Sequence, residues 1–211
     1  MEVTAIEPRR KGLSQLYLDG EAAVKLDTET LLKSGLKPGA ELTDEALHEL
    51  IQASDARRAN EKALYLLEHR SHSKKELEDK IARTAASREA ARAAAQHMED
   101  IGLVDDETFA RDYARQLFTR KKFGSRRVRQ ELRLKGIAPE LIDELLLEFG
   151  DEDESAAHIR EILNRKYAGY AEDEKIRRRA MAALQRLGYG FDEIRAVLAA
   201  GQEEFPDDTG A

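Results

Sequence analysis

The sequence predicts an all-α protein of tandem three-helix repeats that form an elongated, curved array, preceded by a small N-terminal segment containing a β-hairpin. From about residue 58 nearly to the end, apolar residues recur every three or four positions, which is the period of a buried helix face. Glycine and proline fall mainly where such helices would end. Finally, one short segment occurs in similar form three times along the chain, which indicates a repeat architecture.

The first forty residues differ from the rest of the chain. Short apolar runs at 3–6, 14–18 and 23–26 are typical of strands, and the Asp19-Gly20 pair between the second and third runs is typical of a hairpin turn. Residues 36–39 predict another turn, and Thr43 suits the N-cap of a following helix. We therefore expect residues 1–52 to form a short β-ribbon and a helix.

The repeated segments lie at 73–81, 127–136 and 179–188, and Leu77, Leu132 and Leu184 fall in register when the three are superimposed. Each segment sits between an earlier and a later helix. This predicts three-helix units at residues 58–104, 105–150 and 151–202. Units of this size bury little apolar surface alone and should stack on one another.

Several residues mark where the helices should begin. Ser73 and Glu76 form a capping box, and Ser125 is expected to cap the middle helix of the second unit. Pro139 suits the first position of the next helix. The paired Asp105-Asp106 is better explained as an N-cap than as a catalytic carboxylate dyad.

Charge is distributed unevenly along the chain. The net charge is −7, which argues against a protein that coats nucleic acid through a globally positive field. Residues 115–135, however, carry nine basic side chains against one acid, Glu131, a local balance of +8 that leaves −15 for the remainder. Like charges at this density repel one another unless solvent or an anionic partner stabilises them.

The predicted middle helix of each unit also starts with basic residues, although the helix dipole disfavours a cation there by about 0.3–1 kcal/mol. Such helix starts also present free N–H groups that could bind phosphates. In the first and third units, acids one turn away could compensate the cations. These pairs are Lys74 with Glu78, Lys75 with Asp79, Arg177 with Asp173, and Arg178 with Glu174.

In the second unit only Arg127 has a carboxylate one turn away, that of Glu131. The cations left without one are Lys121, Lys122, Arg126, Arg129 and Arg133. We therefore predict that the second unit carries an anionic contact surface. Its residues are Arg120, Lys121, Lys122, Arg126, Arg127, Arg129, Arg133 and Lys135.

No motif supports an enzyme. The chain lacks a P-loop, a GxGxxG and a GxSxG sequence, has no cysteine, and places its five histidines without HExxH-type spacing. Ser71, His72 and Ser73 are consecutive at a helix start, where triad geometry is rare and a capping role suffices. We expect no catalysis, no metal site and no cofactor.

Three groups of motifs resemble the RecX family, in order and over roughly residues 58 to 200. The first comprises Ala63-Leu64-Tyr65-Leu66-Leu67, Arg70-Ser71-His72-Ser73 and Glu76-Leu77. The second comprises Gly102-Leu103-Val104-Asp105-Asp106, Phe109-Ala110 and Tyr113. The third comprises Phe123-Gly124, Arg127, Glu131-Leu132 and Lys135-Gly136-Ile137.

The resemblance implies three tandem three-helix repeats and a regulator that binds the RecA filament on single-stranded DNA, lying along its groove. It further implies reduced ATP turnover, strand exchange and co-protease activity of RecA, in recombinational DNA repair and the SOS response, with no cofactor. Residues 1–52 fall outside the resemblance. One departure concerns the first unit, where Lys80 is followed by Ile81 rather than by glycine, so the exit of that helix is expected to differ.

Two other functions stay open from the residues alone. Short helices with basic first turns also suit a helix-turn-helix protein that binds duplex DNA directly, although the net charge disfavours tight binding to naked duplex. A plain adaptor would make the basic stretch incidental. We expect a cytoplasmic monomer, with weak direct DNA contact, without a membrane segment, and with an acidic disordered tail at 203–211.

Overall fold

The computed structural model describes residues 1–203, so the predicted tail at 203–211 lies outside the described residues, apart from Glu203 at the end of the last helix. The chain divides into two compact units, Met1–Asp105 and Asp106–Ala211. None of the helices within the described part combines the length and apolar character needed to cross a membrane.

The first unit begins with a three-stranded antiparallel sheet. Its strands are β1 (Val3–Pro8), β2 (Leu13–Leu18) and β3 (Glu21–Asp27), in the order β1-β2-β3. The predicted turn joins β2 to β3, and Asp19 and Gly20 have φ angles of 52° and 86°. Positive φ at both positions is typical of a type I′ hairpin turn. The expected hairpin is thus confirmed, and the predicted strand-like run at 3–6 forms β1 beside it.

Helix α1 (Thr28–Ser34) follows the sheet, and α2 (Asp44–His69) follows the predicted turn. Thr43 caps α2 as expected, its hydroxyl accepting the N–H of Ala46 at 3.2 Å. The helix expected to end near residue 52 instead continues without a break to His69. The reason is that residues 53–57 contain no glycine or proline that would end it. The N-terminal segment and the first repeat therefore share α2.

Buried polar contacts attach the sheet to the middle of α2. The Ser54 hydroxyl accepts the backbone N–H of Asp27 at 2.8 Å, and Arg57 Nε lies 2.9 Å from Asp27 Oδ1. The same Asp27 oxygen accepts the N–H of Thr30, which caps α1. Asp27 and Ser54 are both buried, so these bonds are shielded from competing water.

Helices α3 (Lys74–Ala82) and α4 (Arg88–Asp100) complete the first repeat. The predicted cap at Ser73 is confirmed, because its hydroxyl accepts the N–H of Glu76 at 3.2 Å. The exit of α3 differs from those of the other middle helices, as expected. All three helices end in a right-handed residue, but Thr84, which follows α3 after Arg83, does not have a positive φ. By contrast, Gly136 and Gly188 follow the two other middle helices with φ of 81° and 96°.

The second unit contains two further three-helix repeats. The second repeat is α5 (Asp106–Thr119), α6 (Ser125–Leu134) and α7 (Pro139–Phe149), and the third is α8 (Glu152–Lys166), α9 (Glu174–Arg186) and α10 (Phe191–Glu203). Helix α5 begins at the predicted Asp105-Asp106 pair, and Pro139 is the first residue of α7, as expected. Each repeat buries its own apolar cluster.

The predicted register of the repeats is wrong by one helical turn in the first repeat. Each middle helix has two buried residues, which are Leu77 and Ile81 in α3, Val128 and Leu132 in α6, and Ala180 and Leu184 in α9. Leu77 therefore corresponds to Val128, not to Leu132. A shift of four residues leaves the apolar face of a helix almost unchanged, so the apolar pattern alone could not distinguish the two registers.

The start of α6 is formed by contact with the third repeat, not by the predicted serine cap. Gly124 is the N-cap, without a side-chain cap, and Ser125 is the first helical residue. The N–H of Gly124 donates to the Leu187 carbonyl at 2.9 Å, and the N–H of Arg126 donates to the Gly188 carbonyl at 3.2 Å. These carbonyls satisfy amide groups that a cap would otherwise satisfy.

Two glycines permit this approach of one backbone to another. A Cβ atom built on Gly124 would lie 2.5 Å from the carbonyl carbon of Gly188. A Cβ on Gly188 would collide with the backbone nitrogen of Arg127, and Gly188 has a φ of 96°. The second and third repeats therefore meet at a point where only glycine fits on either side.

Substitution of these glycines should destabilise the second unit. Gly124→Ala keeps an ordinary backbone conformation, so its expected loss of about 1–3 kcal/mol of unfolding free energy comes from overpacking alone. Gly188→Ala adds about 1 kcal/mol or more for the left-handed backbone. Gly169→Ala is the matched control, with φ of 84° but only an ordinary contact at 3.7 Å. Urea unfolding followed by circular dichroism measures all three, and a Gly124→Ala variant as stable as wild type would contradict the contact.

His72, next to the α3 cap, is 3% exposed. Burial lowers the pKa of its imidazole from the ordinary 6.5, and the Glu76 carboxylate, 3.3 Å from Nδ1, opposes this shift only in part. The unfolded chain therefore takes up the proton at a higher pH than the folded chain does. Stability supplied by neutral His72 is complete above pH 6.5 and is lost as the pH falls below that value.

We expect the unfolding free energy to fall between pH 7.5 and 5.5, with at most about 1.4 kcal/mol of the loss due to His72. Replacing His72 by Asn should flatten this dependence. Replacing His97 by Asn, on the exposed face of α4, should retain it. Urea unfolding of both variants at the two pH values provides the comparison, and equal pH dependence in both would contradict the role of His72.

Candidate anionic contact surface

The basic segment spans the end of α5, a tight turn and α6. The N–H groups of Arg120 and Lys121 both donate to the Gln116 carbonyl, at 3.0 and 3.2 Å. Arg120, Lys121 and Lys122 thus follow the C-terminus of α5, where the helix dipole favours cations. Arg126 lies in the first turn of α6, where the dipole disfavours them. Helix stability therefore explains the cations that follow α5 but not Arg126 at the start of α6.

Lys122 is fixed at the centre of this turn. Its φ is 52°, a left-handed conformation that residues other than glycine rarely adopt. Its carbonyl oxygen accepts a hydrogen bond from the Tyr189 hydroxyl at 2.8 Å. Tyr189 is 1% exposed, and burial raises the pKa of its phenol, so it remains a neutral donor. The third repeat therefore holds the turn in place by a side chain as well as by backbone contacts.

Four of the eight predicted surface residues are half-buried and have partners within the second unit. Lys122 pairs with Glu161 of α8, and Arg129 pairs with Asp143 of α7. Arg127 lies 2.6 Å from the Glu131 carboxylate, as predicted, and the Lys135 ammonium is 5.6 Å from the centre of the Tyr113 ring. Lys122 and Arg129, which have no carboxylate one turn away in sequence, are thus paired in the structure. Their partners lie on other helices and are therefore far from them in sequence.

The other four predicted residues are exposed. No carboxylate of residues 1–201 pairs with Arg120, Lys121, Arg126 or Arg133. Arg126 and Arg133 are seven residues apart and so project from the same side of α6, while Arg120 and Lys121 lie on the turn that precedes it. The structure thus reduces the predicted surface to four side chains that are free to contact an anion.

Backbone amides contribute less to this surface than the sequence predicted. The sequence indicated that free N–H groups at such a helix start could also suit an anion. The N–H groups of Gly124 and Arg126 are instead bonded to carbonyls of the third repeat. An anion at this position would therefore be bound mainly by the arginine and lysine side chains.

The corresponding cations of the first and third repeats are compensated only in part. Lys74 reaches Glu99 of α4 at 2.7 Å, not the predicted Glu78. Arg178 pairs with Glu174, as predicted. Arg177 donates to the backbone carbonyls of Tyr170 and Ala171 at 3.1 and 2.5 Å. Lys75, Lys175 and Arg179 are exposed, and no carboxylate of residues 1–201 pairs with them, so the predicted pair of Lys75 with Asp79 is not formed. The second repeat remains the better candidate because its exposed cations are more numerous, four against one and two.

Sequence reasoning missed four residues that shape the surface, namely Asp143, Glu161, Gly188 and Tyr189. Only Gly188 left a visible signal, as the glycine that ends the third repeated segment. That signal indicated a helix end and gave no indication of a partner for Gly124.

Comparison with known proteins follows the same division of the chain. Residues 105–146 match the family description "RecX, second three-helix domain", and residues 152–198 match "RecX, third three-helix domain". A solved structure titled "Crystal structure of regulatory protein RecX" shares the fold, with a TM-score of 0.64, 22% identity, and coverage of 93% of this chain and 98% of its own.

Curated relatives named "Regulatory protein RecX" match over most of their length. That of Bacillus subtilis is 29% identical over 98% of this chain and 80% of its own length. That of Geobacillus kaustophilus is 31% identical over 88% of this chain and 70% of its own length. Because the match exceeds 30% identity, extends over more than two thirds of that relative and includes two successive RecX domains, this chain belongs to the RecX family.

Proposed function

We propose that this protein binds the RecA filament on single-stranded DNA and inhibits the recombinase, ATPase and co-protease activities of RecA, and so modulates recombinational DNA repair and the SOS response. Membership of a family whose members are named regulatory proteins supports a regulatory role. The observation that carries the contact mechanism is the group of four exposed cations, which are unpaired within residues 1–201 and lie on a fixed turn and on the helix that follows it, in an otherwise acidic chain.

These four residues suit contact with phosphates better than recognition of bases. Arginine and lysine bind phosphate oxygens and fix position without reading sequence. Arg126 and Arg133 are separated by about 10 Å along the axis of α6, so they reach different phosphates. The proposed contact is therefore independent of DNA sequence, as expected for a protein that acts along a filament.

The structure gives little support to the alternative function, that of a helix-turn-helix protein that binds duplex DNA. In such proteins the N-terminal residues of a recognition helix enter the major groove and contact bases. The start of α6 is packed against the Leu187 and Gly188 carbonyls of the third repeat, which limits how deeply this end of the helix could enter a groove. The experiment described below measures direct binding to duplex DNA as well.

Removing the exposed arginines should weaken inhibition. We expect an Arg126→Ala/Arg133→Ala variant to need on the order of tenfold more protein for half-maximal inhibition of single-stranded-DNA-dependent ATP hydrolysis by the cognate RecA. The salt dependence of binding should become shallower, by about 0.7 in slope for each phosphate that the variant no longer neutralises. The matched control is Arg129→Ala on the same helix, because Arg129 is already paired with Asp143.

The assay titrates the protein well below the concentration of RecA, with a duplex-binding measurement alongside and circular dichroism to verify folding. Undiminished inhibition by the double variant would remove the proposed surface from the mechanism. Unchanged ATP hydrolysis with the wild-type protein, together with sequence-selective duplex binding, would replace the filament regulator by a duplex-binding protein.

A further inference from the structure

The ion pair of Lys122 joins the basic surface to the third repeat. Its partner, Glu161, lies in the middle of α8. His158 precedes Glu161 by three residues and Arg165 follows it by four, which places both on the same side of α8 as Glu161. Lys122, Arg165 and His158 all lower the pKa of the Glu161 carboxyl, the hydrogen bond from Lys122 most strongly. One carboxylate therefore lies among two permanent cations and a histidine.

The fold does not depend on this carboxylate. The side chains of Lys122 and Glu161 are 28% and 50% exposed, and ion pairs with such access to water contribute little to stability. The Tyr189 hydroxyl and the contact of Gly124 with Gly188 already fix the turn. Removal of the Glu161 charge would therefore free the cations around it and leave their positions unchanged.

Glu161 also opposes the contact that the neighbouring cations favour. An anion that approaches Lys121 and Arg126 meets a carboxylate beside Lys122, and repulsion between the two anions reduces its affinity. Without that carboxylate, the positive surface of the second repeat would continue through Lys122 to Arg165 on α8.

We propose that Glu161 is an internal counter-ion in the place of a nucleic-acid phosphate, and that the single-stranded DNA contact extends over Lys122 to Arg165 of the third repeat. This inference rests on the proposed function, because it assumes that the basic surface contacts DNA. When a strand binds, a phosphate replaces the Glu161 carboxylate at Lys122. Glu161 thereby limits affinity, and Arg165 contacts the DNA although it lies outside the basic segment of the sequence.

The test measures binding of a fluorescently labelled single-stranded oligonucleotide as a function of salt. We expect Glu161→Gln to bind about three- to tenfold more tightly at low salt, with a slope steeper by about 0.7 for each additional phosphate that the variant neutralises. The control is Glu152→Gln at the start of α8, which changes the net charge equally. In the Glu161→Gln background, Arg165→Ala should weaken binding and reduce the slope, whereas Arg160→Ala, on another side of α8, should change neither.

The outcomes separate this inference from the proposed function. If Glu161→Gln binds no more tightly than Glu152→Gln, or if Arg165→Ala and Arg160→Ala behave alike, the inference is overturned. The proposed function then still stands, provided that Arg126→Ala/Arg133→Ala loses binding and inhibition. If that variant retains both, the proposed surface fails and this inference fails with it.

Discussion

The contact between Gly124 and Gly188 is the constraint on which the arrangement of the second unit depends. Two backbones meet where neither side tolerates a Cβ atom, and carbonyls of the third repeat satisfy amides at the start of α6. The turn before Gly124 is fixed as a consequence, and the Tyr189 hydroxyl holds Lys122 in a left-handed conformation. The cations near this turn are thus presented on a rigid support, which lowers the entropic cost of binding an anion.

Pairing decides which of the basic residues can contact an anion without first losing a partner. Four of the eight predicted side chains already contact a partner. The partner is a carboxylate of another helix, a carboxylate one turn away or an aromatic ring. These contacts position the basic helix on its neighbours, and exposed pairs of this kind contribute modestly to stability. The exposed residues, represented by Arg126 and Arg133, have no such structural explanation. The division follows from packing between helices, so composition alone overstates the positive charge that a partner meets.

Features set by neighbours in sequence could be predicted, and features set by distant partners could not. The Asp19-Gly20 turn, the caps at Thr43 and Ser73, and Pro139 at a helix start each follow from local backbone chemistry. The predicted cap at Ser125 was wrong, because the carbonyls that satisfy the amides at the start of α6 belong to another repeat and are distant in sequence. The partner of Lys122 lies 39 residues away, and Tyr189 lies 67 residues away. The predicted register of Leu77 was wrong for another reason. A shift of one helical turn leaves the apolar face almost unchanged, so the sequence pattern fits either register.

The charge distribution also bears on how such a regulator would find its target. Beyond the screening length of about 8 Å at physiological salt, the net charge of −7 gives nucleic acid no attraction to this chain. Within that distance the exposed cations favour a phosphate, but so few of them give only a modest, salt-sensitive affinity. Free DNA would therefore compete weakly for the protein. Tight binding would then require a partner that adds protein contacts to the phosphate contacts, as the proposed nucleoprotein filament would.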